Sequence, residues 1–302
     1  MEAPKDSESN PMSLVRILTG HSGAEIALHE VDGIHFVRKK SGSEALNERL
    51  EAQASKQDGF FNAGGPCPRV IGRGRNAGLF FFDMEYVAGT SVAYQCQSAI
   101  MPDRGDLAAF LGRWIRHFQA TADGELGAHQ YLSKLASIRK SASSSPLLGP
   151  VFPRADKIID LLSGVDWSGI PQSNCHGDMT LENILVTRHG YCFIDFDVPD
   201  LPSYYMDIAK LFQDIDGHWC LRHMAHQSSD DLHYLNAQQV LLRLRTTILS
   251  LVREIAPDIL ARLRFLVALN LLRTVPYCRD ISVASYALDR IMAILSDPTE
   301  PV

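Results

Sequence analysis

The chain has 302 residues, 46% of them hydrophobic and 21% charged, with 29 Lys and Arg against 35 Asp and Glu for a net charge of −6. At roughly 150 residues per domain this is enough for two domains or one domain of two lobes, and the composition excludes intrinsic disorder, collagen and coiled coil. So mild an acidity argues against a protein whose main role is to hold phosphate backbones, and no nucleic-acid partner is expected.

In chain order, Met1 to Met12 carries Glu2, Asp6 and Glu8 where a secretory signal needs a basic start and an apolar stretch, so no export is expected. Val15 to Leu18 reads as a strand, Thr19 to Gly23 as a turn, and Glu25 to Val31 as a second strand. Asp32-Gly33 then closes a hairpin onto Ile34 to Lys40, because a two-residue Asp-Gly loop supplies the positive φ of a type I′ turn. Ser43 to Gln57 is a helix with Ser43 as cap and Leu46, Leu50, Gln53 and Gln57 on one face. Pro68 to Arg73 and Leu79 to Tyr86 complete a five-stranded antiparallel lobe that ends near Gly89. From Asp106 onward the pattern is helical, broken by a hairpin of Ile184 to Val186 with Tyr191 to Phe196. Three long helices follow, about Ala237 to Ile255, Asp258 to Val275 and Val283 to Ser296. The chain thus reads as α+β, with residues 1–89 as a small β lobe and residues 90–302 as a mostly helical one. Apolar runs such as Phe265 to Leu269 fall far short of the ~18 residues that cross a bilayer, so no membrane span is expected. The six cysteines form no Cys-x-x-Cys pair, which fits reduced thiols in a cytoplasm.

The chemistry is concentrated in His176-Gly177-Asp178-Met179-Thr180-Leu181-Glu182-Asn183, an acid and an amide five residues apart before a hairpin that delivers Ile194-Asp195-Phe196-Asp197. This order and spacing resembles the catalytic and metal loops of the aminoglycoside phosphotransferase and choline kinase superfamily, relatives of protein kinases, over about residues 15 to 215. The resemblance implies a two-lobed protein-kinase-like fold with ATP between the lobes, 1–89 binding nucleotide and 90–302 carrying catalysis and the acceptor. Phosphoryl transfer asks a protein mainly for positioning and charge neutralisation. Asp178 would orient or deprotonate the attacking hydroxyl, while Asn183 and Asp195 would hold Mg²⁺ with hard oxygen ligands.

By the same resemblance Lys39, on the face shared by His35 and Val37, would pair with nucleotide phosphates, Lys40 being the alternative. Its carboxylate partner on the following helix is open: Glu48 and Glu51 lie off the apolar stripe, and Gln53 lies near its centre. Gly20, Ser22 and Gly23 occupy the place of a phosphate-covering loop. Asp83 to Gly89 resembles a kinase hinge, with Met84 behind the nucleotide and the Glu85 carbonyl and Val87 amide on the adenine edge. Asp207 matches the family's aspartate that accepts backbone N–H groups of the catalytic loop.

Eleven residues separate Asp195 from Asp207, too few for a peptide-docking segment, and no Arg follows His176, so a small-molecule hydroxyl acceptor is expected. His218, Cys220, His223, His226 and His233 cluster without completing a four-ligand zinc pattern. Trp219 and Tyr204-Tyr205 are either core or a surface for a sugar or an ammonium group. Residues 201–302 hold eleven acids and ten bases, including the acid pairs Asp214 with Asp216 and Asp230 with Asp231, a near-neutral balance that favours a sugar, a cell-envelope precursor or an amino alcohol over a polycationic antibiotic. The alternatives are an aminoglycoside phosphotransferase conferring resistance and an inactive nucleotide-binding scaffold. The scaffold requires loss of Lys39, Asp178, Asn183 or Asp195, and all four are present.

Overall fold

The computed structural model describes residues 12–18, 23–224 and 231–296. The chain divides into two compact units, one running to Gly89 and taking in Cys192–Val198, the other made of Thr90–Tyr191 and the chain from Pro199 on.

In the first unit β1 (Ser13–Leu18), β2 (Ala24–Val31), β3 (Ile34–Ser41), β4 (Val70–Asn76) and β5 (Leu79–Glu85) form one antiparallel sheet in the order β1-β2-β3-β5-β4. Asp32 and Gly33 both have positive φ, 52° and 76°, and set Val31 opposite Ile34 as a type I′ turn requires. Helix α1 (Asn47–Asn62) begins later than Ser43, whose side chain caps nothing; a 3₁₀ turn, Glu44–Leu46, comes first. Leu50 and Ala54 of α1 pack with Phe80, Phe82 and Met84 of β5, burying the stripe that the helical spacing marks out. The helix continues past Gln57 because Phe60 is buried against Phe193 and Phe196, with ring centroids 6.0 and 5.0 Å away. Those two rings tie Cys192–Val198, a segment inside residues 90–302, to the first unit.

The second unit holds α2 (Val92–Gln97), α3 (Arg104–Gln119), α4 (Ala128–Ser143), α5 (Phe152–Ser163), α6 (Tyr204–Ile215), α7 (Leu232–Ile255), α8 (Leu260–Thr274) and α9 (Ile281–Ser296). A short strand β6 (Thr90–Ser91) pairs with β7 (Ile184–Thr187), which turns into β8 (Gly190–Phe193). β8 stops at Phe193 instead of Phe196 because Asp195 takes a left-handed φ of 59°, which no strand can continue. α7 starts five residues before Ala237, since the Asp231 side chain accepts the His233 amide at 2.8 Å and caps it there.

All twelve residues of α6 are buried. Asp207 and Asp214 lie two turns apart on one face, and each grips the loop that precedes β7. Asp207 accepts the backbone N–H of His176 at 2.5 Å and of Gly177 at 2.8 Å; Asp214 accepts that of Leu181 at 2.7 Å. The second oxygen of Asp214 is buried with no partner among the described residues. Burial pushes its carboxyl up to about 8, helped by the charges of Glu182 and Asp178 and opposed by the Leu181 amide and Arg222. In the unfolded chain this group loses its proton near pH 4. Between pH 4 and 8 the folded state therefore binds the extra proton, and stability falls as pH rises, by up to about 1.4 kcal/mol per pH unit. Asp214→Asn keeps an oxygen for Leu181 and removes that slope. Thermal melts of the two proteins from pH 5 to pH 8 should diverge, the wild type losing ground; parallel curves would mean that folded Asp214 is ionised.

Candidate active site

The loop is built around Gly177, whose φ of 94° is strained for any other residue. His176, fully buried, is turned inward so that its Nδ1 accepts the Asp178 amide at 3.2 Å. Asp178 is then held on both carboxylate oxygens. Lys210 Nζ lies 3.1 Å from Oδ1, and Asn183 Nδ2 donates to Oδ2 at 2.9 Å and to the Asp178 carbonyl at 2.8 Å. The Asp178 side chain remains about one-third open at 34% exposure, enough to meet a substrate. Sequence patterning leaves Lys210 out, although it sits on the α6 face of Asp207 and Asp214 at helical spacing, which is the signal that marks it.

Around this loop the charges are already matched. Arg222, buried, reaches Glu182 at 2.9 Å and lies over the Trp219 ring at 4.8 Å. Arg245 reaches Asp216 at 2.7 Å. Tyr204 and Tyr205 are buried edge to face, so they are core and offer no platform to a ligand. His218 takes a left-handed turn, and burial, with Arg290 near, pushes its ring down to about 3, while Cys220 donates weakly to the Asp214 carbonyl. His226 and Asp230 lie outside the described residues, and among the described residues no three His, Cys, Asp or Glu converge on a metal position.

In the first unit the open choice at Lys39 resolves to Gln53. Lys39 is 2% exposed, and its Nζ donates to Gln53 Oε1 at 3.0 Å and to Asp195 Oδ1 at 2.5 Å. Glu51 instead faces Arg75 at 3.5 Å, both exposed. Gln53 Nε2 donates to Asp197 Oδ1 at 2.7 Å, and Arg49 closes on both Asp197 oxygens at 2.8 and 2.9 Å. Burial works against the Asp197 charge, but Arg49 and the Gln53 amide outweigh it and hold the carboxyl below its ordinary range. Arg38, on the opposite face of β3, makes two bonds to Asp83 and stacks on Phe81 at 4.0 Å.

Met84 is buried at the end of β5, where its sulfur faces Gln57 Nε2 at 3.5 Å. The Glu85 amide donates to the Arg69 carbonyl at 3.0 Å, and Val87 follows in irregular chain. Gly23 has φ 75°, and Gly42 approaches its carbonyl so closely that a Cβ there would stand 2.2 Å away. Gly20 and Ser22 lie outside the described residues. The structure thus gathers Lys39 with Asp195 in the first unit and Asp178 with Asn183 in the second. Asp195 is 37% exposed, and Asn183 turns both amide protons to Asp178, so its carbonyl oxygen is not engaged in those bonds; carboxylate and amide oxygens are both hard donors.

The model of a family described as phosphotransferase enzyme family (APH) matches residues 13–245. Among curated proteins, none matches the chain by sequence. Solved structures of similar fold include a candidate fructosamine-3-kinase from Haemophilus somnus 129PT, 14% identical over 95% of this chain and 92% of that one, with a TM-score of 0.61. They also include a thermostable mutant of aminoglycoside phosphotransferase APH(4)-Ia in ternary complex with ADP and hygromycin B, 12% identical over 95% and 96%, with a TM-score of 0.58. An ethanolamine kinase from Plasmodium vivax is 14% identical over 97% and 84%, with a TM-score of 0.55. At these identities the likeness is one of fold, α+β and kinase-like. The family match covers most of the sequence and spans Lys39, the Asp178 loop and Asp195: the chain belongs to the phosphotransferase enzyme family.

Proposed function

We propose that the protein is an ATP-dependent small-molecule kinase that moves the γ-phosphate to a hydroxyl of a neutral or singly charged metabolite, a sugar, a cell-envelope precursor or an amino alcohol. The observation that carries this reading is Asp178, a partly open carboxylate whose two oxygens are fixed by Lys210 and Asn183 on a loop pinned by α6. Such a group has the placement a base needs: the acceptor oxygen attacks the γ-phosphorus, its proton passes to Asp178, and ADP leaves. Residues up to Gly89 form the nucleotide-binding part, with Lys39 on the phosphates, Gly20, Ser22 and Gly23 covering them, and Met84, Glu85 and Val87 along the base. Residues 90–302 supply Asp178 and the acceptor contacts. Asn183 and Asp195 are the residues to hold Mg²⁺, which when bound neutralises phosphate charge. The six free cysteines fit a cytoplasmic enzyme.

Two measurements test this. With the acceptor found by screening ATP consumption against hydroxyl metabolites, Asp178→Asn should lower turnover by about 10² or more while ATP affinity holds, because the amide keeps the shape and cannot take a proton. Near-normal turnover would sink the assignment. For the acceptor class, the carboxylates near the base are committed, Asp178 to Lys210 and Glu182 to Arg222, and Asp214 is fully buried, which leaves a polyammonium compound with little to hold it. A kanamycin-type aminoglycoside should therefore be a poor substrate; a kcat/KM approaching ~10⁴ M⁻¹s⁻¹, the lower end of the ordinary enzyme range, would refute it.

A further inference from the structure

Lys39 is buried, and a buried ammonium needs an anion held in place, not merely nearby. α1 gives it none. The residue that reaches it from the helix is Gln53, itself 4% exposed, which carries no charge. The orientation of that amide is fixed by its neighbours. Lysine only donates, so Gln53 must turn Oε1 toward Lys39; an ionised carboxylate only accepts, so Nε2 must turn toward Asp197. The contacts form one line, Lys39 to Gln53 at 3.0 Å and Gln53 to Asp197 at 2.7 Å, and all three residues belong to the first unit. At its far end the line is anchored twice, by Arg49 on the carboxylate and by Lys56 Nζ on the Asp197 carbonyl at 2.5 Å.

We infer that Asp197 is a positioning residue for Lys39, acting through the Gln53 side-chain amide, so that the anionic partner of the lysine stands on the segment after β8 and not on α1. Polarisation of the amide by the carboxylate makes Oε1 a stronger acceptor than an isolated glutamine would offer. The same segment carries Asp195, whose Oδ1 takes a second Lys39 proton at 2.5 Å. Lys39 is thereby aimed by two carboxylates two residues apart, one directly and one relayed, and its third proton is left for a ligand.

The relay has a property that a general packing role lacks: it needs one amide and one carboxylate, and their order can be exchanged. Gln53→Glu puts two acceptors 2.7 Å apart with no proton between them. Asp197→Asn removes the charge that the relay carries to Lys39. The double variant Gln53→Glu/Asp197→Asn restores a donor facing an acceptor and returns the net charge, with the carboxylate now beside Lys39 and Arg49 left with the one remaining side-chain oxygen at position 197. The inference rests on the nucleotide-binding reading of this unit, so its test has two arms on the same four full-length proteins, titration calorimetry with Mg·ATP and thermal melting. Gln53→Glu should weaken Mg·ATP by about 10-fold to 100-fold and lower the melting temperature, as expected when a buried charged hydrogen bond becomes a repulsion. Asp197→Asn should weaken binding by about 3-fold to 10-fold, and the double variant should return to within about 3-fold of wild type in binding and regain part of the melting temperature that Gln53→Glu loses, the rest being the Arg49 bond that an asparagine cannot accept. Wild-type affinity in Gln53→Glu, or a double variant no better than Gln53→Glu in either arm, would overturn the relay. A wild type that does not bind Mg·ATP would strike the nucleotide reading instead, and the melting pattern would still decide the relay.

Discussion

Two backbone amides converging on one buried carboxylate, those of His176 and Gly177 on Asp207, set the position of every reactive group in the second unit. A loop cannot place an oxygen atom to a fraction of an ångström by its own stiffness, because each residue keeps backbone freedom that must be removed by contacts. Here the removal is done from α6. Asp207 fixes the turn before Asp178, Asp214 fixes the Leu181 amide after it, and Lys210, one turn along from Asp207, fixes the carboxylate itself. The Asp178 carboxylate thus inherits its orientation from a rigid helix, the kind of positioning that phosphoryl transfer rewards.

Both units solve the cost of buried charge in the same way, by pairing. Lys39 meets Asp195, Lys210 meets Asp178, and Arg222 meets Glu182 while lying flat on Trp219. Each pair costs desolvation that a hydrophobic pair would not, so its presence is an argument about placement and not about stability. Asp214 is the exception. Among the described residues it has no cation within a hydrogen bond and one oxygen lacks a partner, and burial pushes its carboxyl up instead.

The groups that sequence patterning finds are those whose relation is local. Asp178 and Asn183 are five residues apart on one loop, the spacing of Asp195 from that loop is set by a short hairpin, and Asp207 follows on the next helix, so order alone marks them. What it misses depends on distance in space. Gln53 is visible at the centre of the α1 stripe, but its partner Asp197 lies 144 residues on, and no local pattern says whether Lys39 is served by Gln53 or by Glu51. Lys210 looks like the solvated lysine of any amphipathic helix until α6 proves to be buried on all sides. Tyr204 and Tyr205 stay open between core and ligand surface for the same reason, since aromatic pairs look alike in both places, and burial decides for the core. The end of β8 is displaced by a backbone angle at Asp195 that hydrophobic alternation does not register.

That α6 has no exposed residue has a consequence for how such an enzyme can change over time. A helix with one solvent face can absorb substitutions there and drift; one enclosed on every side has no neutral positions, and almost any replacement meets either a packed neighbour or a buried hydrogen bond. Because three of its side chains also orient the loop that carries Asp178, a substitution within α6 would disturb that carboxylate in the same stroke. Glu182, Arg222 and Trp219 lie outside that helix, and there one guanidinium bridges a side chain one-third open to water and a half-buried ring, so exchange of a single residue changes the surface chemistry without touching α6. The fold in this way separates a part that must stay constant from a part free to explore, both bordering the loop that carries Asp178.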